Sequence, residues 1–84
     1  MNHDVKPLTS FKELDRLWAM SKGAAFRAFK QSLSVLVEEQ DYIRLDAKLH
    51  HTEIEALRAA GRIYVSSVNV VLLSQNGVDK LKHP

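Results

Sequence analysis

Basic side chains dominate the stretch between Asp15 and Glu38. This stretch contains no acidic residue and four basic ones: Arg16, Lys22, Arg27 and Lys30. Their cationic groups bind phosphate oxygens, and an arginine fork also matches the O6 and N7 acceptors of guanine. From Glu38 to Glu55 the balance is reversed, with six carboxylates against two basic residues. The uneven distribution favours an anionic partner for the first half, although solvated surface charges also cluster by chance.

The elements that would position these cations are two short helices within residues 14–30, joined by a tight turn near Ala19. Ser10 and Glu13 have the spacing of a capping box at the start of the first helix. Ser21 is a residue type that favours the N-cap, so the second helix is predicted to begin there. Such a pair either places its second helix in the major groove of DNA or is a plain αα-hairpin with a solvated basic face.

At 100° per residue, four residues share the outer side of this second helix: Gly23, Arg27, Lys30 and Gln31. Arg27 lies mid-helix and is the expected reader of base edges, while Gln31 is expected to pair with adenine or to contact the backbone. Gly23 would cost an exposed helix about 1 kcal/mol relative to alanine. We therefore expect Gly23 to allow a close approach to DNA.

Phosphate contacts are expected from residues around this face. Lys22, Lys30 and Arg16 would hold phosphates as cations, and Ser21 would present the free N-terminal amides of the helix to another phosphate. Four or five such contacts predict that the logarithm of the binding constant falls with the logarithm of salt concentration at a slope of about −4.

Two β-branched runs, 63–65 and 68–73, predict a β-hairpin over 62–73. As a wing, the hairpin would bring Arg62, Ser66 and Ser67 to phosphate or to the minor groove; in the alternative, these polar residues only complete a turn. The uncharged second strand would also offer a bare edge, through which a homodimer could form.

The element order predicts a small α+β fold, a winged helix-turn-helix-like domain with a short β-hairpin. Its 84 residues have room for one domain, assigned to 10–84 after a flexible arm at 1–9. The short run 42–45 has strand composition. Apolar runs are all shorter than the roughly 18 residues that span a membrane, and no leader-like apolar core precedes the domain, so we expect a cytoplasmic protein.

The segment LDRLWAMSKGAAFRAFK resembles the helix-turn-helix of phage and bacterial regulators, in which a Leu-Gly-Val-Ser turn precedes a basic recognition helix. Ala19 stands where that turn usually has glycine. The segments EEQDYIRLDA and VNVVLLSQNGVDKL are similar to the N-terminal domains of phage antirepressors and of KilA-N and BRO-N viral regulators. Those domains close with an apolar strand, Ser/Thr-x-x-Gly and a short helix, here 70–73, Ser74, Gly77 and Leu81. The resemblance implies a protein that binds DNA or regulates a repressor.

Catalytic and metal chemistry have little support in the sequence. The chain has no cysteine, and its three glycines form no phosphate-binding loop. His50 and His51 with Glu53 and Glu55 match no standard zinc spacing. No serine, histidine and aspartate are ordered as a triad. We therefore expect no enzymatic activity, no cofactor and no metal.

Two functions remain open at this point. The first is a sequence-specific DNA-binding transcription regulator of phage, prophage or plasmid origin, with double-stranded DNA as partner. The second is a protein–protein interaction module, an antirepressor or adaptor that has the same frame without binding DNA. Its contacts would be the acidic segment 38–46 and the strand edge. Charge reversal at Arg27 and Lys30 should abolish the first function and hardly affect the second.

Overall fold

Within residues 8–82, which a computed structural model describes, four helices surround a three-stranded antiparallel sheet, and the α+β class is confirmed. The elements in chain order are β1 (Thr9–Ser10), α1 (Phe11–Leu17), α2 (Ala24–Gln31), β2 (Tyr42–Leu45), α3 (His51–Ala59), β3 (Val70–Leu73) and α4 (Gln75–Lys82). Residues 1–7 of the predicted arm lie outside the described part, whereas Thr9, assigned to the same arm, pairs with Leu73. No helix among the described residues is long and apolar enough to cross a membrane.

The central strand of the sheet is β3, flanked by β1 and β2. The register aligns Ser10 with Leu72 on one side and Tyr42 with Leu73 on the other. In the described chain, 62–69 is a series of turns and bends without a strand. The predicted hairpin over 62–73 is therefore wrong. β2 pairs with all four residues of β3, whereas β1 pairs only with Leu72 and Leu73. The homodimer expected through this segment stays a prediction.

Tertiary contacts explain why the β-branched run at 63–65 forms no strand. Ile63 is 3% exposed and packs into the core beneath α3. Arg62 is held by hydrogen bonds to Glu13 and to the carbonyl of Leu8. The strands that pair with β3 come from distant parts of the chain instead. Packing therefore overrides the local β propensity of residues 63–65.

The alternation of side chains along the strands gives the sheet two apolar faces. Tyr42 and Leu73 pack on one face with Leu14, Ala25 and Phe29 of α1 and α2 and with Val78 and Leu81 of α4. The other face carries Ile43, Leu45, Val70 and Leu72, which pack against Ile54 and Leu57 of α3. Each face is thus covered by helices on its own side. The helical elements are fixed to the sheet by these two clusters.

The closing Ser-x-x-Gly element packs α4 against the start of β2. The Ser74 hydroxyl accepts a hydrogen bond from the Gly77 amide at 3.2 Å, and the Ser74 amide donates to the Asp41 carbonyl at 2.9 Å. A Cβ at Gly77 would lie 2.1 Å from the same carbonyl oxygen, so only glycine fits this approach. The segment that resembles the antirepressor pattern is therefore a packing element here.

Candidate nucleic-acid interface

The start of α1 is fixed by a capping box, as predicted. The Ser10 hydroxyl accepts from the Glu13 amide at 3.1 Å, and the Glu13 carboxylate accepts from the Ser10 amide at 2.9 Å. Arg62 donates to the same carboxylate at 3.1 Å. Burial would raise the pKa of Glu13, but the hydrogen bonds from Arg62 and from the Ser10 amide outweigh it and lower the pKa.

Arg62 therefore has a structural role. Its guanidinium also donates to the Leu8 carbonyl, and its own carbonyl accepts from the Ser10 hydroxyl. The described residues 62–69 form no wing, and Arg62 donates to Glu13 and Leu8 within the domain, so a phosphate contact by Arg62 stays a prediction.

The second helix begins later than predicted. Its N-cap is Gly23, at φ +93°, and α2 starts at Ala24, so Ser21 and Lys22 precede the helix. Glycine adopts this left-handed conformation without the Cβ penalty of other residues. The prediction that Gly23 serves a close approach to DNA from within the helix is thus corrected: its backbone angle accounts for the residue. Ala19 also has a positive φ, +54°, at the turn position where the resembled motif usually has glycine.

A buried carboxylate from α1 caps α2. Asp15, 2% exposed, accepts hydrogen bonds from the Gly23 amide at 2.9 Å and the Ala25 amide at 2.8 Å. Tyr64 donates its hydroxyl to the same carboxylate at 2.6 Å. Two of the amides at this end of the helix bind Asp15 and are not free for a phosphate, so a phosphate contact near Ser21 stays a prediction.

Asp15 and Tyr64 shift each other's pKa. Burial would raise the pKa of Asp15, but the hydrogen bonds from Tyr64 and from the two amides outweigh it and lower the pKa. The same hydrogen bond, together with burial, raises the pKa of Tyr64 to about 12. Sequence reasoning missed both residues. The one signal was a carboxylate directly after the apolar residue Leu14.

The outer face of α2 is solvent-exposed. Arg27, Lys30 and Gln31 are all exposed, as is Arg16 in the last turn of α1. The Lys30 ammonium lies 5.4 Å from the centroid of the Phe26 ring. No acidic residue occurs in α2. Four of the predicted site residues are thus exposed on α1 and α2.

The remaining predicted site residues lie around Tyr64. The Lys22 ammonium is 4.9 Å from the centroid of that ring. Ser66 is exposed in the irregular loop, and Ser67 is half-buried with its carbonyl accepting from Arg58. These two serines lie in a loop and not in a hairpin, and their contact with DNA stays a prediction.

The comparisons and the side-chain chemistry add no named activity. Among the described residues, no group of three or more histidine and carboxylate side chains could hold a metal ion. No protein-family model, curated protein or solved structure matches the chain. The site's main feature is an exposed cationic helix, fixed at its start by a buried carboxylate.

Proposed function

We propose that the chain is a DNA-binding transcription regulator that places the outer face of α2 in the major groove. The observation that carries the proposal is the joint exposure of Arg27, Lys30 and Gln31 on a helix with no acid. Arg27 would read a guanine edge through its two-pronged guanidinium, and Gln31 would pair with adenine or contact the backbone. Lys30, with Arg16 from α1, would hold phosphates on either side.

The capping contact of Asp15 supports this function because it fixes how α2 is presented. Two hydrogen bonds from the start of α2 end on a side chain of α1, so the two helices cannot rotate freely about their turn. Tyr64 ties the loop 62–69 to the same carboxylate. A rigidly held helix meets base edges with less loss of conformational entropy than a mobile one.

The proposal is tested by charge reversal on α2. Fluorescence anisotropy with a random-sequence duplex should show that Arg27→Glu/Lys30→Glu binds at least about 100-fold more weakly than wild type at low salt. Both side chains are exposed and form no ion pair with another described residue, although the charge of Arg27 helps to lower the pKa of Asp15. Circular dichroism would check that the variant still folds.

A matched control reverses the same charge elsewhere. Lys48→Glu/Lys82→Glu changes two exposed lysines outside α1 and α2 and alters net charge equally. We expect this variant to lose much less affinity than the α2 variant. Equal losses would mean that net charge alone attracts DNA, and the proposed interface would be wrong.

A protein–protein module is the second candidate, and one observation favours it. Leu17, Met20 and Phe26, on α1, the turn and α2, are 72%, 56% and 47% exposed. Its acidic contact surface is reduced, however, because Asp41 is buried and binds Lys80 at 2.6 Å. A wild-type chain that fails to bind DNA even at low salt would favour this candidate.

A further inference from the structure

A cleft of about 540 Å³ opens beside the start of α2. Its walls come from the first turns of α1 and α2 and from the loop 62–69, and its floor comes from the sheet. Phe11, Phe26 and Val71 line it with apolar surface. Pockets of roughly 300–1,000 Å³ with mostly apolar linings are typical of small-molecule sites.

The cleft exists because one end of a sheet face extends beyond its covering helices. Tyr42 and Leu73 on this face are buried beneath α1, α2 and α4. The next pair on the same face, Arg44 and Val71, lies directly across from each other in the register. Arg44 is exposed and Val71 only half-buried. An apolar strip therefore reaches solvent next to a cation.

Three cations line the cleft. The ammonium groups of Lys12 and Lys22 lie 5.8 and 4.9 Å from the centroid of the same Tyr64 ring. Arg44 adds a third positive charge from β2. Among the described residues, neither lysine forms an ion pair. Contact with the face of an aromatic ring holds such cations in place without neutralising them.

Nearby acids offset these charges only in part. Asp46 is the acidic residue among those found lining the cleft. Glu38 lies 3.7 Å from Arg44, but both side chains are about half exposed, where such pairs contribute little. Asp15 is buried and accepts from three donors. The lining is therefore complementary to a ligand that is both apolar and anionic.

We propose that this cleft binds a small anionic ligand with an aromatic body, of the aromatic carboxylate or sulfonate class. The body would lie against Phe11, Phe26 and Val71, and the anionic group would lie between the two lysines. Tyr64 is already anchored by its hydrogen bond to Asp15, so one wall is preformed. This site does not depend on DNA binding by α2.

The test uses two fluorescent probes of similar shape and different charge: anionic anilinonaphthalene sulfonate and neutral N-phenylnaphthylamine. The wild-type chain should bind the anionic probe saturably at one site and more tightly than the neutral one. Lys12→Gln/Lys22→Gln should lower the affinity for the anionic probe about tenfold and leave the affinity for the neutral probe unchanged. Lys48→Gln/Lys82→Gln, which changes two exposed lysines that do not line the cleft, is the matched control and should change neither affinity.

Amide chemical shifts of the wild-type protein locate the bound probe without relying on a variant. Saturation with the anionic probe should shift the amides of Lys22, Gly23, Asn69 and Val71, all in the cleft lining. Shifts confined to exposed apolar residues elsewhere, such as Leu49 and Val65, would overturn the proposal. Equal affinity for the two probes would also overturn it.

Discussion

At the residue scale, Asp15 connects more of the candidate interface than any cation does. Its carboxylate binds the start of α2 through the Gly23 and Ala25 amides and binds the loop 62–69 through Tyr64. A buried charge is tolerated only when its hydrogen bonds are satisfied. This side chain therefore sets the orientation in which Arg27 and Lys30 are displayed.

Asp15→Asn should lower the free energy of unfolding by about 2 kcal/mol near neutral pH, because one carboxylate oxygen is replaced by an amide that faces a donor. Since hydrogen bonding lowers the pKa of Asp15 in the folded state, its contribution is present above the ordinary value of 3.8 and is lost as pH falls through the lowered pKa. Urea titrations at several pH values measure this difference. The exposed Glu53→Gln is the control, and a similar loss there would contradict the assigned role.

Tyr64→Phe tests the other half of this contact at alkaline pH. The folded pKa of Tyr64, about 12, lies above its ordinary value of 10.0, so the contribution is fully present below pH 10 and is lost as pH rises through about 12. We expect the free energy of unfolding of wild type to exceed that of Tyr64→Phe by about 1 kcal/mol at pH 7. Urea titrations should show this difference shrinking between pH 10 and 12. A difference that stays constant over that range would show that the hydroxyl does not donate to Asp15.

At the scale of elements, the turn between α1 and α2 carries backbone strain at Ala19. Its φ of +54° costs an L-residue about 1 kcal/mol, which glycine avoids. Ala19→Gly should therefore raise the free energy of unfolding by up to about 1 kcal/mol despite glycine's greater freedom when unfolded. Ala56→Gly, at an exposed site inside α3, should lower it by about 1 kcal/mol. Thermal denaturation that showed a loss in both variants would contradict the left-handed turn.

The junction of α4 with β2 gives a second contrast between two glycines. Gly77→Ala should destabilise by at least about 2 kcal/mol, because the added Cβ would meet the Asp41 carbonyl oxygen. Gly61→Ala has open space around its Cβ and only its positive φ to oppose it, so it should cost about 1 kcal/mol. Chemical denaturation of both variants measures the difference. A stabilised Gly77→Ala would mean that α4 does not approach this carbonyl closely.

Local chemistry explains which elements the sequence predicted. The capping box of Ser10 and Glu13 depends on neighbours in the chain and is confirmed. The strand 42–45 is confirmed as well: its composition favours a strand, although its partner β3 is distant in sequence. The predicted start of α2 at Ser21 was wrong, because the actual start depends on Asp15, which lies eight residues before Gly23. The wing depended on which strands pair with β3, and those partners lie far away in sequence. In the candidate site, the exposure of the α2 cations was predictable from helical periodicity. The contacts of Asp15 with the start of α2 and with Tyr64 were not, because they join parts of the chain that local patterns do not connect.

At the scale of the whole molecule, the proposed DNA binding depends on where positive charge is exposed. With Arg62 bound to Glu13, four predicted contacts remain near the helix pair: Arg16, Lys22, Arg27 and Lys30. Each phosphate contact that releases a counterion contributes about −0.9 to the slope of the logarithm of affinity against that of salt concentration. A random-sequence duplex offers Arg27 no fixed base to read, so its charge is counted there with the phosphate contacts, and four contacts keep the expected slope at about −4.

The most direct test is that salt slope, measured by anisotropy with a random-sequence duplex for wild type, for Arg16→Gln/Lys30→Gln and for the control Lys48→Gln/Lys82→Gln. We expect a slope of about −4 for wild type and for the control, and about −2 for the variant that loses two phosphate contacts. A wild-type slope near zero, or a control slope reduced as much as that of the interface variant, would contradict DNA binding through α2.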